Sequence, residues 1–175
     1  MKPLFKGPVL ITGGSSRLGM ALALALREEG ARPLSVCRTE EGLARCAEAG
    51  LCGLLLGEPE SLPERCLERM GEPPAHVADL MHSRFESLVA AAPPEAIMEW
   101  AAVDIGLRAR FVRAVGRSML ARRFGRCVFV SSSAAECPAQ GQGYYAAAKL
   151  AGEALYRSLA VELSGRGVTA CSLRL

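Results

Sequence analysis

A glycine-rich turn near the start of the chain places the tightest constraint on its fold. The segment 12–19, with the sequence TGGSSRLG, follows a short apolar run, Pro8–Thr12, and precedes a segment rich in Ala and Leu. A strand, a glycine turn and a helix in this order form the start of a dinucleotide-binding unit. We expect Gly13 to allow the tight turn, Gly14 to let the backbone approach a ligand, and Gly19 to let the helix pack close to the sheet.

The backbone amides at the start of the predicted helix have no helical acceptor of their own. Together with the helix dipole, they favour a bound anion such as a pyrophosphate. We therefore predict that a dinucleotide contacts the residues of this turn, which are Gly13, Ser15, Ser16, Arg17, Leu18 and Gly19. The alternative is a strand–helix connection that binds no ligand.

Short apolar runs and helical segments alternate along the rest of the chain. After a helix over residues 16–30, further strands are predicted at residues 34–37, 52–56, 76–79, 126–131 and 168–173. The remaining helices are predicted up to residue 49 and at residues 59–70, 93–123 and 144–164. Such alternation is typical of a parallel sheet with helices on both faces. We expect a single domain over residues 1–175, with a doubly wound, three-layer α/β/α fold of about six strands.

Composition excludes several classes of protein. Half of the 175 residues are hydrophobic and 22% are charged, which is typical of a globular chain. The net charge of +3 is too small to indicate nucleic acid as a partner, and we interpret the scattered arginines as solvated helix faces. No apolar run reaches the ~18 residues needed to span a bilayer, so no membrane partner is expected.

The seven cysteines contain no Cys-x-x-Cys pair, and several lie in apolar runs. We therefore expect free thiols, a cytoplasmic location and no structural metal. The segment 1–8 shows no signal-peptide pattern. His76 and His82 have no metal-ligand companion at a useful spacing, and both are predicted to be structural.

Tyr145 and Lys149 stand four residues apart in the predicted helix over residues 144–164, so they project from one face. Tyrosine is a poor acid at neutral pH, with an ordinary pKa of about 10, and a nearby ammonium group stabilises its phenolate. Such a tyrosine can exchange a proton with a carbonyl or hydroxyl oxygen. Tyr144 is out of register, because Ala148 stands four residues after it. The alternative is a surface pair on an amphipathic helix.

These motifs resemble the short-chain dehydrogenase/reductase family. Its hallmark after the first strand is Thr-Gly-x-x-x-Gly-x-Gly, matched by Thr12, Gly13 and Gly19, while Arg17 replaces the middle glycine. The same replacement occurs in the pteridine reductase branch, whose members prefer NADPH. The resemblance covers nearly the whole chain and implies a Rossmann-like fold.

The resemblance also implies a catalytic serine thirteen residues before the tyrosine, a position that Ser132 occupies. Ser132 would then bind the substrate oxygen, Tyr145 would transfer the proton, and Lys149 would stabilise the phenolate and hold the nicotinamide ribose. The cofactor would carry the hydride. Three serines stand in a row, and the structural one among them could be Ser131 or Ser133.

The residue after the second predicted strand bears on the choice of cofactor. An acidic residue there would bind the ribose hydroxyls of NAD, but the chain has Arg38. The guanidinium suits a 2′-phosphate, so Arg38 and Arg17 favour NADP(H), with NAD(H) as the alternative cofactor. Arg38 could also simply start a surface helix.

Four departures from the family pattern set limits on the expected activity. Residues 78–81, ADLM, replace Asn-Asn-Ala-Gly, and Gly106 replaces an asparagine that serves the family's proton relay. Residues 54–57, LLLG, lack the acidic residue expected near the adenine. The sequence stops at residues 172–175, at the sixth predicted strand, so either it is incomplete or the protein is a reduced member that lacks the substrate-covering C-terminal region.

The sequence thus predicts an NADP(H)-dependent oxidoreductase that acts on the C=O or C=N group of a small molecule, or oxidises an alcohol. The alternative is a non-catalytic protein that binds a nucleotide or serves as a scaffold. By resemblance, the helices near residues 95–123 and 144–164 would join copies of the chain into a homodimer or homotetramer.

Overall fold

A computed structural model describes residues 5–83 and 85–175. The sequence shows no signal-peptide pattern in residues 1–8, and residues 1–4 of that segment lie outside the described range. The strands form a six-stranded parallel sheet in the order β3-β2-β1-β4-β5-β6. They are β1 (Pro8–Thr12), β2 (Arg32–Cys37), β3 (Gly53–Leu55), β4 (His76–Asp79), β5 (Gly125–Ser131) and β6 (Val168–Arg174). This order reverses direction between β1 and β4, which creates the crevice where ligands bind in doubly wound sheets.

Six α-helices connect and cover the strands. They are α1 (Arg17–Glu28), α2 (Glu40–Glu48), α3 (Leu62–Met70), α4 (Pro94–Trp100), α5 (Leu107–Arg122) and α6 (Gly143–Glu162). The single long helix predicted over residues 93–123 contains a π-helical segment, Ala101–Gly106, between α4 and α5. No helix in the described ranges is long and apolar enough to cross a membrane.

Alternate residues of each strand pack against opposite layers. Leu10 faces a core shared with Phe111 of α5 and Tyr156 of α6. Its neighbour Ile11 faces a second core shared with Ala23 of α1. The period of two along a strand produces this division, because successive side chains point to opposite faces. The predicted three-layer α/β/α fold is confirmed.

Candidate active site

A cleft of about 940 Å³ opens at the carboxyl ends of β1 and β4. It brings together predicted site residues that are far apart in the sequence: Gly13, Ser15, Ser16, Arg17, Leu18, Arg38, Ser132, Tyr145 and Lys149. Gly19 does not line the cleft and lies buried behind the turn. The arrangement follows from parallel strands, whose carboxyl ends meet at one edge of the sheet.

The glycine turn is held by its own hydrogen bonds and by close packing. Gly13 has a φ of 65°, a left-handed conformation that favours glycine. The hydroxyl of Ser16 caps α1, because it accepts from the amide of Gly19 at 3.0 Å and donates to the carbonyl of Gly13 at 2.7 Å. A Cβ on Gly19 would lie 2.4 Å from the carbonyl oxygen of Gly13, so a larger residue would displace the turn.

Gly14 serves packing in the structure, and its role in ligand approach stays a prediction. A Cβ at this position would lie 2.6 Å from the Cβ of Ser35 on β2. The amide of Gly14 also donates to the carbonyl of Val36 at 3.0 Å. The absent side chain therefore lets the turn rest on the neighbouring strand.

Cations gather at one end of the cleft. Arg17 and Arg38 are exposed there, and Arg45 of α2, which sequence reasoning missed, lines the same region. Arg38 precedes the helix instead of starting it, since Thr39 caps α2 by accepting from the amide of Gly42 at 3.1 Å. Exposed guanidinium groups beside helix-terminal amides make this end suitable for phosphate groups.

The two adjacent tyrosines have different surroundings. Tyr145 lines the cleft, and its ring centroid lies 5.4 Å from the Nζ of Lys149. The hydroxyl of Tyr144 donates to the carbonyl of Val89 at 3.3 Å, and its ring packs against those of Phe85 and Trp100. The structure therefore places Tyr145 in the cleft and Tyr144 in an aromatic cluster outside the cleft lining.

Lys149 is buried at the base of the cleft, with 3% of its surface exposed. Its Nζ donates to the carbonyl of Val130 at 2.8 Å. Burial, with a contribution from the nearby cation of Arg108, lowers the pKa of Lys149 to about 8. The ammonium form therefore predominates at neutral pH and stabilises negative charge on a neighbouring oxygen.

The three consecutive serines separate by environment. The hydroxyl of Ser131 donates to Oε1 of Glu153 at 2.6 Å. Arg174 pairs with the same carboxylate at 2.7 Å and, with the Ser131 hydrogen bond, holds the pKa of Glu153 near 2. The hydroxyl of Ser132 accepts from the amide of Ala134 at 3.2 Å and faces the cleft, which leaves its own proton available. Both serines line the cleft, but only the hydroxyl of Ser131 is bound to a carboxylate.

There is open space at Gly106, the residue that stands where the family has an asparagine. Gly106 ends the π-helical segment with a φ of −62°, and a Cβ there would meet only the carbonyl oxygen of Ala101, at 3.7 Å. The backbone leaves space in which a water or a larger side chain can lie.

Asp79 and Arg108 form a buried ion pair that the sequence did not reveal. Asp79 ends β4 and Arg108 lies in the first turn of α5, and neither residue is exposed. The Nε of Arg108 donates to Oδ2 of Asp79 at 3.3 Å. The interpretation of the arginines as solvated helix faces is therefore wrong for Arg108. A pair 29 residues apart leaves no local pattern in the sequence.

The two histidines lie at opposite ends of β4. His82 lines the cleft, and its ring centroid lies 5.8 Å from that of Tyr145 in an edge-to-face contact. Burial lowers the pKa of His82, so its imidazole is neutral at pH 7. The sequence predicted only a structural role for His82 and did not reveal its contact with Tyr145. Its position just after the carboxyl end of a strand could have suggested a place in the cleft. His76 packs between Phe5 and Phe124, away from the cleft.

These residues fit a nicotinamide dinucleotide. The cleft has the volume of a cofactor site, the start of α1 presents amides, and arginines stand at the phosphate end. Ser132, Tyr145 and Lys149 would hold the nicotinamide end. Within residues 5–83 and 85–175, no three His, Cys, Asp or Glu side chains cluster as metal ligands would.

Comparison with known proteins is consistent with this geometry. The sequence model of the family described as short chain dehydrogenase matches residues 89–174. The 3-oxoacyl-[acyl-carrier-protein] reductase FabG of Escherichia coli (strain K12) is 29% identical over 174 residues, which cover 94% of this chain and 71% of the relative. A short chain dehydrogenase of Pseudocercospora fijiensis is 30% identical, with 94% of this chain and 57% of the relative covered.

A solved structure of an actinorhodin polyketide ketoreductase variant with NADPH has the same fold. It superposes with a TM-score of 0.84 at 25% identity, and the match covers 95% of this chain and 69% of that structure. The sheet order, the glycine turn and the sequence relatives all agree. The chain is therefore similar in sequence and fold to short-chain dehydrogenases/reductases.

Proposed function

We propose that the protein is an NADP(H)-dependent reductase of C=O or C=N groups in small molecules, with Tyr145 as its proton donor. The observation that carries this proposal is the convergence of Ser132, Tyr145 and Lys149 in the cleft that also contains the glycine turn. The reverse reaction, oxidation of an alcohol, uses the same groups.

A bound nicotinamide cofactor supplies the hydride. The hydroxyl of Ser132 donates a hydrogen bond to the substrate oxygen and holds it beside Tyr145. As negative charge develops on that oxygen, the hydroxyl of Tyr145 donates its proton to it. The buried ammonium of Lys149 stabilises the resulting phenolate. In the reverse direction the phenolate accepts the proton of the substrate hydroxyl.

The preference for NADP(H) over NAD(H) rests on charge. Arg17, Arg38 and Arg45 line one end of the cleft. The sequence positions of Arg17 and Arg38 suit contact of their guanidinium groups with a 2′-phosphate. NADPH in the similar ketoreductase structure supports the same choice. Arg17 matches the replacement in the pteridine reductase branch, which makes a pterin one candidate substrate.

A protein that binds the cofactor without turnover is the second candidate. Gly106 favours this candidate, because the side chain that the family uses in its proton relay is missing there. Asp79, one of the residues that stand in place of Asn-Asn-Ala-Gly, is paired with the buried Arg108. Retention of Tyr145 and Lys149 in one cleft argues for the enzyme.

The test has two steps. NADPH and NADH binding are measured first by cofactor fluorescence, and NADPH oxidation is then followed with ketones, quinones and pterins. A 3-oxoacyl thioester joins the panel because of the similar acyl-carrier-protein reductase. We expect tighter binding of NADPH and turnover of at least one carbonyl class. Tight binding without turnover on any substrate would favour the second candidate.

The chain is also proposed to act as one dinucleotide-binding domain that forms a homodimer or homotetramer in the cytoplasm. Large apolar side chains on the helices α4 and α6 are exposed, among them Met98, Leu150 and Val161. Seven free cysteines suit a reducing compartment. Light scattering of the purified protein gives the mass of the assembly directly.

A further inference from the structure

The guanidinium of Arg108 holds three acceptors in the interior of the protein. Its Nε donates to Oδ2 of Asp79 at 3.3 Å. Its two terminal nitrogens donate to the main-chain carbonyls of Asp104 and Met81. A planar fork of five N–H donors can hold acceptors at fixed angles, which the single ammonium of a lysine cannot do. Arg108 therefore fastens the end of β4 to the π-helical segment.

Asp79 extends these contacts to two further elements. Its Oδ1 accepts from the hydroxyl of Thr12 at 2.6 Å and from the amide of Met81 at 3.0 Å. Its Oδ2 accepts from the hydroxyl of Tyr156 at 3.1 Å. A buried polar network whose members are all satisfied is rigid. The residues after β4 are thus tied to β1, α5 and α6.

Those residues form one wall of the cleft. Residues 80–82 line it, and the ring of His82 stands at 77° to the ring of Tyr145. The same segment is anchored again at Ser83, whose amide donates to Oδ1 of Asp104 at 2.7 Å. Arg108 itself does not line the cleft, so it can act on the site only through this wall or through its charge.

The charge of Arg108 lies close to that of Lys149. The Cζ of Arg108 and the Nζ of Lys149 are each 5.1 Å from the ring centroid of Phe129. Burial contributes most to the lowered pKa of Lys149, the Arg108 cation comes next, and Asp79 and Asp104 oppose both. Tyr145 and His82 are two further titratable side chains near Lys149.

We propose that Arg108 is a positioning residue of the reductase, which fixes the wall at residues 80–82 beside Tyr145 and sets its cation against the ammonium of Lys149. Its effect on turnover rests on the proposed function. Its two structural effects are measurable in the full chain without any turnover.

Both structural effects can be followed by NMR, because the chain contains few lysines and histidines. Only three lysines occur, Lys2, Lys6 and Lys149, and only two histidines, His76 and His82. Protein labelled with ¹³C in its lysine and histidine side chains therefore gives few NMR signals. The variants H82N and K149R assign the signals of His82 and Lys149 by their disappearance.

Three substitutions distinguish the effect of the guanidinium hydrogen bonds of Arg108 from the effect of its positive charge. R108K keeps the cation and loses the fork, so the His82 ring signal should move while the Lys149 titration stays in place. R108Q removes the cation, so the midpoint of the Lys149 titration should rise by about one pH unit. D79N removes the opposing anion but keeps an acceptor oxygen, so the midpoint should fall. The opposite signs distinguish charge from a general loosening of the fold.

Turnover supplies the final readout. R108K should lower kcat about tenfold or more while the KM for NADPH stays unchanged, because small misplacements of reacting groups are costly. A His82 signal that is unchanged in R108K, or a Lys149 midpoint that moves in neither R108Q nor D79N, would overturn the inference. D79N retains the shape of Asp79 and serves if R108Q fails to fold. If the NMR changes occur but the wild type turns over no substrate, the proposed reductase function fails and the positioning role stands.

Discussion

The hydroxyl of Thr12 donates a 2.6 Å hydrogen bond to Oδ1 of Asp79, and both side chains are fully buried. This bond joins the carboxyl ends of β1 and β4, between which the cleft opens. The bond also fixes the position at which the glycine turn begins, because Gly13 follows Thr12 directly.

Replacement of Thr12 by valine tests the strength of this connection. Valine keeps the shape but removes the donor to a buried carboxylate, so T12V should lower the free energy of unfolding by about 1.5–3 kcal/mol. Urea denaturation measures the change. Thr169→Val on β6, where the threonine is exposed, should change it by less than about 0.5 kcal/mol. Equal effects of the two substitutions would contradict a special role for the bond.

Ser131 and Ser132 should differ in what their loss affects. S132A removes the donor to the substrate oxygen and should lower kcat by about 10²- to 10³-fold, while loss of the hydrogen bond from the Ala134 amide should cost only about 1 kcal/mol of stability. S131A removes a hydrogen bond to the buried Glu153 carboxylate and should cost about 1.5–3 kcal/mol of stability with kcat nearly unchanged. Steady-state kinetics and urea denaturation of both variants decide the matter. The reverse pattern would exchange their roles.

Gly106 offers a test by gain of function. G106N restores the family asparagine at a position with helical φ and open space, so stability should stay within about 0.5 kcal/mol of wild type. The kcat should rise several-fold, because the side chain completes the relay that the family resemblance implies. Gly116→Asn is the control, since its Cβ would lie 2.8 Å from Leu159 and should cost about 1–3 kcal/mol. A folded G106N without any gain would show that the relay runs by another route.

Arg38 should decide between the two nicotinamide cofactors. R38Q removes a charge-assisted contact to a 2′-phosphate, so the Kd for NADPH should rise by about 10- to 100-fold while that for NADH stays the same. Arg166→Gln, at an exposed position near the amino end of β6, should change neither value. Fluorescence titration measures both constants. Equal weakening of NADPH and NADH binding by R38Q would argue against recognition of the 2′-phosphate.

Local patterns in the sequence predicted most of the fold. Strand–helix alternation and the glycine turn predicted the parallel sheet, because each depends on residues close together in the chain. The i, i+4 spacing likewise placed Tyr145 and Lys149 on one helix face. The π-helical segment was missed, since Ala101–Gly106 shows the same apolar spacing as an α-helix.

Contacts between distant elements account for the remaining differences. The pair of Asp79 and Arg108 joins β4 to α5, so neither residue stands out from its neighbours in sequence. The packing role of Gly14 depends on Ser35 in an adjacent strand. Such contacts appear only when the sheet has brought the strands together. Asp79 and Arg108 do not line the cleft themselves, but they hold Met81, which does.

The central claim is that Tyr145 transfers the proton, and the adjacent Tyr144 provides a matched control. The measurement is kcat for NADPH-dependent reduction, beside the Kd for NADPH, in Y145F and Y144F. We predict that Y145F lowers kcat by about 10²- to 10⁴-fold with an unchanged Kd, while Y144F, which loses only a hydrogen bond to Val89, keeps its kcat. Turnover that survives unchanged in Y145F would contradict the mechanism.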